Sequence, residues 1–168
     1  HAKVLLEVGC GGGHSIAPLA RALPRLRFLA VDVSQRAVDI LRANPDVPQD
    51  RCEAAACDVQ HEELPRPTCP LHHSKGKEEE GKEEVCCCAG VDCALLVFVL
   101  SSIAPEAHAT VLEHIKKVLA PGALVLFRDY ARGDANQHDF DKQYPPRKLA
   151  PNFYVRPDGT RAYFFALD

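Results

Sequence analysis

The chain has 168 residues, of which 46% are hydrophobic and 26% are charged, and its 20 basic and 23 acidic residues leave a net charge of −3. These values are typical of one globular domain that buries its own core, and they exclude a wholly disordered chain or a collagen-like repeat. No apolar run reaches the roughly 20 residues that a membrane-spanning helix needs, so we expect no membrane partner. A chain this close to neutral has no overall attraction for nucleic acid, and any RNA affinity has to come from local patches.

The beginning of the chain and its cysteines give expectations about its context. The sequence starts at His1, contains no Met and enters a strand pattern within three residues, so we expect it to be part of a longer protein. No basic segment followed by an apolar stretch is visible, and no secretory signal is predicted. The eight cysteines form no C-x-x-C pair. Reduced thiols in an intracellular protein are therefore expected, in the cytoplasm first, with the nucleus and mitochondria left open.

The first half of the chain alternates short apolar runs with helical segments. Three strands are predicted there, at residues 3–8, 27–33 and 52–57. Between the first two, apolar residues at helical spacing predict a helix that Pro24 closes. Ser34 is placed to cap a second helix, which ends before Asn44-Pro45.

The second half continues this alternation and then changes character. Two more strands, both interpreted as buried, are predicted at residues 91–100 and 123–127, with an amphipathic helix between them that begins at Pro105. Strands alternating with helices predict a Rossmann-like, doubly wound, mostly parallel α/β sheet. Aromatic residues on both sides of Pro157-Asp158-Gly159 predict an appended C-terminal β-hairpin.

Residues 60–90 interrupt this pattern inside what we interpret as a single, partial domain over residues 1–168. The segment is rich in Pro and then carries KGKEEEGKEE, a low-complexity run that cannot form a core. We expect a disordered insertion between two core elements. A zinc site formed by Cys69, His72, His73 and the cysteines at 86–88 is the alternative, but paired ligand spacing is absent, so no metal is predicted.

A glycine-rich turn lies between the first strand and the first helix. It reads EVGCGGG and places Glu7, Gly9, Gly11 and Gly13 at alternate positions. Glycine there allows positive φ and a close approach of the backbone to a ligand, beside an open helix N-terminus. His14 occupies the sixth position counted from Gly9, so the dinucleotide pattern G-x-G-x-x-G is not met.

Acidic residues follow the next two predicted strands. Asp32 ends the second, where a carboxylate can accept hydrogen bonds from ribose hydroxyls. Asp58 ends the third and is followed by Val59. The glycine turn and the two acids, in this order, resemble the motifs of class I S-adenosylmethionine-dependent methyltransferases. That resemblance implies that Asp58 meets the adenine amino group and that Val59 packs on the adenine ring.

Three further strings are more specific. They are VFVLSSI at 97–103, FRDY at 127–130 and NFYVRPDGTRAYFF at 152–165. Together they resemble the methyltransferase-like enzymes that form 3-methylcytidine in the anticodon loop of tRNA, over nearly the whole chain apart from residues 60–90. Asp139 departs from that family's pattern, because it stands where a basic residue is expected.

The resemblance implies S-adenosyl-L-methionine as cofactor, tRNA as partner, and a role for each of several residues. The cofactor site would comprise Glu7, Gly9, Gly11, Gly13, Asp32, Asp58, Val59 and Val97. Candidate catalytic residues are Asp129 and Arg128, and candidate substrate-binding residues are Tyr130, Tyr154, Arg156 and Arg161. An aminoacyl-tRNA synthetase or another helper protein is a further candidate partner.

The chemistry of cytosine is consistent with this assignment. Its N3 carries an in-plane lone pair and needs no general base, so the enzyme has to expose the base and align it. Alkylation leaves a cationic ring, which a carboxylate such as Asp129 can stabilise. The alternative for Arg128 and Asp129 is a salt-bridged strand end.

Two other functions remain open from the sequence. One is a class I methyltransferase that acts on a protein or a small molecule, because only the FRDY and hairpin strings oppose it. The other is a non-catalytic module that binds the cofactor as a scaffold.

Overall fold

The computed structural model describes residues 3–68, 90–142 and 147–166. Its strands are β1 (Val4–Val8), β2 (Arg27–Asp32), β3 (Cys52–Ala56), β4 (Val91–Val97), β5 (Leu119–Arg128), β6 (Lys148–Ala150), β7 (Phe153–Val155) and β8 (Arg161–Tyr163). Its α-helices are α1 (Ile16–Ala22), α2 (Gln35–Ala43), α3 (His108–Val118) and α4 (Ala135–Lys142). Short 3₁₀ turns at Leu100–Ser102 and Pro105–Ala107 connect β4 to α3. Within these ranges, no helix is long and apolar enough to cross a membrane.

The first five strands form one parallel sheet in the order β3-β2-β1-β4-β5. The chain therefore winds outward from β1 in one direction through β2 and β3, and then crosses to the other side through β4 and β5. This order confirms the predicted Rossmann-like, doubly wound sheet. Ligands bind such sheets outside the carboxyl ends of the strands, at the point where the winding reverses.

Side chains of β1 and β2 alternate between two layers. Leu6 and Leu29 pack on one face with Val111 and Ile115 of α3. Leu5, Phe28 and Ala30 pack on the other face, with residues of α1 and with Leu41 of α2. Because successive strand residues point to opposite faces, the continuous apolar runs of the sequence are buried on both sides.

β5 corrects one prediction. We expected residues 123–127 to be buried, but Leu124 is 64% exposed and Phe127 is 50% exposed. Among the described residues, β5 is the last strand of the sheet and pairs on one side, with β4. The run is apolar enough for a central strand, but burial depends on what packs against it, and little in the described part of the chain covers this edge.

The C-terminal residues form a second, antiparallel sheet in the order β6-β7-β8. The predicted hairpin is present as β7 and β8, joined through Pro157-Asp158-Gly159, and β6 adds a strand that was not predicted. α4 was not predicted either. Its polar sequence, ANQHDFDK, gives almost no apolar stripe for a periodicity argument to detect.

Only the first part of the expected insertion is described. Residues 60–68 contain no helix or strand, yet Leu64 is buried in the core beside α3 and Glu63 pairs with Lys117 at 2.7 Å. These contacts mean that the chain still packs on the domain beyond residue 60. The low-complexity run and the alternative zinc ligands lie outside the described residues, so the insertion and the single-domain boundaries stay predictions.

Candidate functional site

A cleft of about 280 Å³ opens at the carboxyl edge of the sheet, where β1, β2, β3 and β4 end. It is lined by Val8, Gly9, Val31, Asp32, Val33, Cys57, Asp58, Val59, Gln60, Phe98, Val99, Ser102 and Ile103. Four residues predicted from the sequence, Gly9, Asp32, Asp58 and Val59, are thus brought together. In this cleft, two carboxylates and a glycine backbone face a mostly apolar wall that also includes Gln60 and Ser102.

Gly9 keeps this cleft open. Its φ is +70°, and a Cβ there would lie 2.7 Å from Val99 Cγ2, which is closer than real Cβ contacts allow. The Gly9 amide donates to Val31 O over 2.8 Å, so the backbone turns directly out of β1 against β2. The missing side chain therefore permits both the turn and the close approach of Val99.

The other two glycines of the loop have different surroundings. Gly11, with φ +52°, has open space where a Cβ would lie and is not among the residues that line the cleft. Gly13, with φ +84°, is buried, and a Cβ there would meet Val47 at 3.0 Å and Leu41 at 3.4 Å. The structure therefore places Gly13 against α2 and the segment after it, where it serves packing.

Asp32 links the glycine loop to the end of β2. Its Oδ2 accepts from the Gly11 amide and its Oδ1 from the Ser34 amide, each over 2.9 Å. Each carboxylate oxygen has two lone pairs, so both retain capacity for a ligand hydroxyl. Val33, the next residue, is 70% exposed and lines the cleft beside it.

Glu7 is the most unusual polar group near the cleft. It is 3% exposed, and its Oε2 has no hydrogen-bond partner in the structure. Burial is the main cause that raises the pKa of this carboxyl to about 7, and the negative charge of Asp32 adds to the increase. A hydrogen bond with Ser15 partly offsets it by lowering the pKa. A buried carboxylate with a free oxygen is a costly arrangement in the absence of a donor.

Asp58 and Val59 form the β3 side of the cleft. Asp58 Oδ2 lies 2.9 Å from Nδ1 of His61, and its Oδ1 accepts from the backbone amide of Gln60 over 3.0 Å. The hydrogen bond with His61 is the main cause that lowers the pKa of Asp58. Val59 is 7% exposed and presents an apolar surface next to this carboxylate.

The β4 side of the cleft differs from the prediction. Val97 is the last residue of β4 and does not line the cleft; the two residues after it, Phe98 and Val99, do. The strand predicted at residues 91–100 includes Phe98 and Val99, because the apolar run continues through them without a break. Only the backbone shows that the strand ends at Val97, since Phe98 has φ +57°.

Asp129 follows β5 and ties it to the turn after β4. Its Oδ2 accepts from the Ser101 amide and its Oδ1 from the Tyr130 amide, each over 2.9 Å. The sequence left open that Asp129 forms a salt bridge with Arg128 at the strand end. In the structure, the two Asp129 oxygens accept from backbone amides. This arrangement gives Asp129 a structural role beside Ser102 and Ile103 of the cleft, while its catalytic role stays a prediction.

Four side chains form a chain of contacts beyond Asp129, which we call the aromatic ladder: Arg128, Phe98, Tyr130 and Arg156. The Arg128 guanidinium lies 5.5 Å from the centroid of the Phe98 ring, and the Phe98 and Tyr130 centroids are 4.8 Å apart. Arg156 lies 5.4 Å from the Tyr130 centroid and donates to the Tyr130 hydroxyl over 3.0 Å. The ladder connects the cleft to the small C-terminal sheet.

Tyr154 requires a correction. It is fully buried, and its hydroxyl donates to Asp141 Oδ1 over 2.8 Å, so its ring is not available to stack on a base. It packs with Ala162 and Phe164 in the core of the small sheet, on the face of β7 opposite Phe153, which is buried as well. Arg161, on β8, is exposed.

The residues present fit S-adenosylmethionine. Asp32 lines the cleft and retains acceptor capacity for ribose hydroxyls. Glu7 is not in the lining, but it precedes the lining residue Val8, and its buried, unpartnered oxygen is of the kind that a cationic amine can bind. Gly9 leaves room that a Cβ would fill. Across the described residues, no group of three or more metal-ligating side chains comes together.

The parallel sheet, its glycine loop and the acids at its carboxyl edge define a class I methyltransferase fold. The crystal structure of the S-adenosylmethionine-dependent methyltransferase SibL matches it with a TM-score of 0.58 at 23% identity, over 80% of this chain and 33% of that one. Residues 6–125 match the family model described as a methyltransferase domain. The chain belongs to this family.

Two curated relatives have a more specific name. The Homo sapiens tRNA N(3)-cytidine methyltransferase METTL6 is 38% identical over 98% of this chain and 50% of the relative. The Danio rerio tRNA N(3)-cytidine methyltransferase METTL2 is 37% identical over 98% of this chain and 41% of the relative. The resemblance inferred from the sequence motifs is thus confirmed, and the chain spans about half the length of the curated relatives it matches.

Proposed function

We propose that the protein is an S-adenosylmethionine-dependent methyltransferase that forms 3-methylcytidine in the anticodon loop of tRNA. The observation that carries this proposal is the 38% identity to a tRNA N(3)-cytidine methyltransferase across 98% of the chain. The fold and the cleft support it, because Gly9, Asp32 and Asp58 of that resemblance converge at one sheet edge.

The cofactor would be held by side chains from three strand ends. Asp32 would accept hydrogen bonds from the ribose hydroxyls, and Asp58 one from the adenine amino group. The free oxygen of Glu7 would accept from the cationic amine. When bound, S-adenosylmethionine supplies an electrophilic methyl group on a sulfonium.

On the substrate side, the chain has to expose and align the cytosine rather than deprotonate it, because N3 already carries a lone pair. Methylation leaves a positive charge on the ring. Asp129 would stabilise this charge with lone pairs that its two backbone hydrogen bonds leave free.

Contacts with the RNA backbone would come from Arg156 and Arg161 of the small sheet, with Tyr130 between them and the cleft. An aminoacyl-tRNA synthetase or another helper protein is a further proposed partner, since the chain itself carries a net charge of −3. The proposed compartment is intracellular, where tRNA is found, and the described cysteines are consistent with it because they are free thiols.

The direct test is methyl transfer from labelled S-adenosylmethionine to unmodified tRNA, with the chain extended to its natural ends. Nucleoside mass spectrometry then identifies the product. Label in 3-methylcytidine, lost in Asp32→Ala, is the expected result. Cofactor binding without label in any tRNA, with or without a synthetase present, would contradict the proposal and favour another substrate or a scaffold.

A further inference from the structure

Phe98 has an unusual backbone conformation. Its φ of +57° lies in the left-handed region, which is disfavoured for residues with a bulky side chain. Its amide donates to Arg128 O over 2.8 Å, which continues the β4–β5 pairing by one bond beyond Val97. Such outliers persist only where the surrounding structure holds them, and they cluster at functional sites.

The consequence of this conformation is the position of the ring. Phe98 is 41% exposed and lines the cleft, while the next residue, Val99, packs over Gly9. An ordinary strand conformation at residue 98 would instead continue β4 away from the cleft mouth. The strained φ therefore places a large apolar side chain where the cleft opens.

The ring lies on the side of the cleft opposite the two acids. In the sheet order β3-β2-β1-β4-β5, Asp58 and Asp32 follow β3 and β2, and Phe98 follows β4 on the other side of β1. Its neighbours there are Arg128 and Tyr130 of the aromatic ladder. This side of the cleft therefore combines an exposed phenyl ring with a guanidinium and a phenol, whereas Asp32 and Asp58 mark the other side.

We propose that Phe98 is the residue against which the target nucleobase packs inside the cleft. This inference rests on the proposed function and adds a specific base-contacting residue to it. Aromatic rings bind unstacked bases through their faces, and a base extruded from an RNA loop needs such a partner. Arg128 and Tyr130 act as positioning residues, because their contacts with the ring restrict its orientation.

Photo-crosslinking tests this contact directly. The probe is an RNA stem-loop in which 5-iodocytidine replaces the cytidine that the wild-type protein methylates, and the protein is the chain extended to its natural ends. Irradiation followed by peptide mass spectrometry is expected to identify an adduct on Phe98. In Phe98→Leu, the adduct should be lost and the affinity for the RNA reduced roughly tenfold, as loss of a base–aromatic contact implies.

Two variants separate function from folding. Phe98→Gly removes the ring and places at a positive φ a residue that adopts it without steric cost. This variant should therefore lose the crosslink without a loss of stability from backbone strain. Phe127→Leu is the matched control, because Phe127 is 50% exposed on β5 but does not line the cleft. It should keep both the crosslink and the RNA affinity. Cofactor affinity, measured by calorimetry, should be unchanged in all three variants.

Three outcomes would overturn the inference. Undiminished RNA affinity in both Phe98 variants would show that the base does not pack against Phe98. An adduct on another residue in place of Phe98 would show the same. A cofactor affinity that falls as much as the RNA affinity would make Phe98 part of the cofactor wall. Absence of RNA binding and methylation in the wild-type protein would instead mean that the proposed function itself fails.

Discussion

The Gly11 amide donates a hydrogen bond to Asp32 Oδ2 over 2.9 Å, across 21 residues of sequence. This bond joins the glycine loop after β1 to the carboxyl end of β2. The same carboxylate is the proposed acceptor for the cofactor ribose. The loop geometry and the proposed cofactor contact therefore share one side chain.

Replacing Asp32 by Ala should weaken cofactor binding by more than about 1 kcal/mol. The ribose hydroxyls would lose the carboxylate that accepts their hydrogen bonds, and the Gly11 amide would lose the same acceptor. Isothermal calorimetry with S-adenosylmethionine measures the effect. Asp39→Ala is the control, since Asp39 is an exposed carboxylate on α2 that accepts a hydrogen bond from the Gln35 side chain. Equal affinities for the two variants would refute the role of Asp32.

Glu7→Gln should stabilise the protein in a pH-dependent manner. The folded-state pKa of about 7 lies above the ordinary value of 4.5, so the folded protein keeps a proton that the unfolded chain releases. The contribution of Glu7 to wild-type stability is therefore largest below about pH 4.5 and is lost as the pH rises through 7. Between about pH 5 and pH 8, the advantage of the Gln variant should grow by about 2–3 kcal/mol.

Urea unfolding at the two pH values measures this difference. Glu113→Gln provides the control, because the Glu113 side chain is 64% exposed on α3. A gap between Glu7→Gln and wild type that stays constant with pH would show that Glu7 ionises normally.

Gly9→Ala should destabilise the protein for two separable reasons. A Cβ there would meet Val99 Cγ2 at 2.7 Å, and φ is +70°. Gly122→Ala carries only the second penalty, since Gly122 has φ +79° and open space around it, and it should cost about 1–2 kcal/mol. Gly9→Ala should cost more, and adding Val99→Ala should recover part of the excess. No recovery in the double variant would mean that the contact with Val99 is not the cause.

Asp129→Asn should reduce turnover about tenfold or more while cofactor affinity stays unchanged, because a neutral amide stabilises a cationic ring less well. Asn retains one acceptor oxygen for the two backbone amides, so only a modest loss of stability, about 1 kcal/mol, is expected. Single-turnover methylation and thermal unfolding are measured together, with Glu106→Gln, on the exposed turn before α3, as control. A stability loss with normal turnover would leave Asp129 only its structural role.

Tyr154→Phe should lower stability by about 1 kcal/mol and leave RNA affinity intact, because the lost hydroxyl donates to Asp141 of α4, which packs beside the small sheet. A double-mutant cycle with Asp141→Asn measures the coupling by urea unfolding. Reduced RNA affinity in Tyr154→Phe, without a loss of stability, would reinstate Tyr154 as a substrate contact.

The sequence by itself determined the alternation of strands and helices, because apolar periodicity and the cap at Ser34 are local properties. It also placed the glycine loop and the two acids at strand ends, and parallel topology necessarily brings such ends to one edge. These features need no knowledge of which elements pack together.

Only the tertiary structure decided burial and backbone strain. Leu124 looks like a core residue in sequence but lies on an edge strand, and Tyr154 looks like a base-stacking residue but lies inside the small sheet. Phe98 belongs to an unbroken apolar run, yet its left-handed φ turns it to the mouth of the cleft. Each difference has the same physical reason: a side chain's exposure is set by neighbours distant in sequence, which a local pattern does not contain.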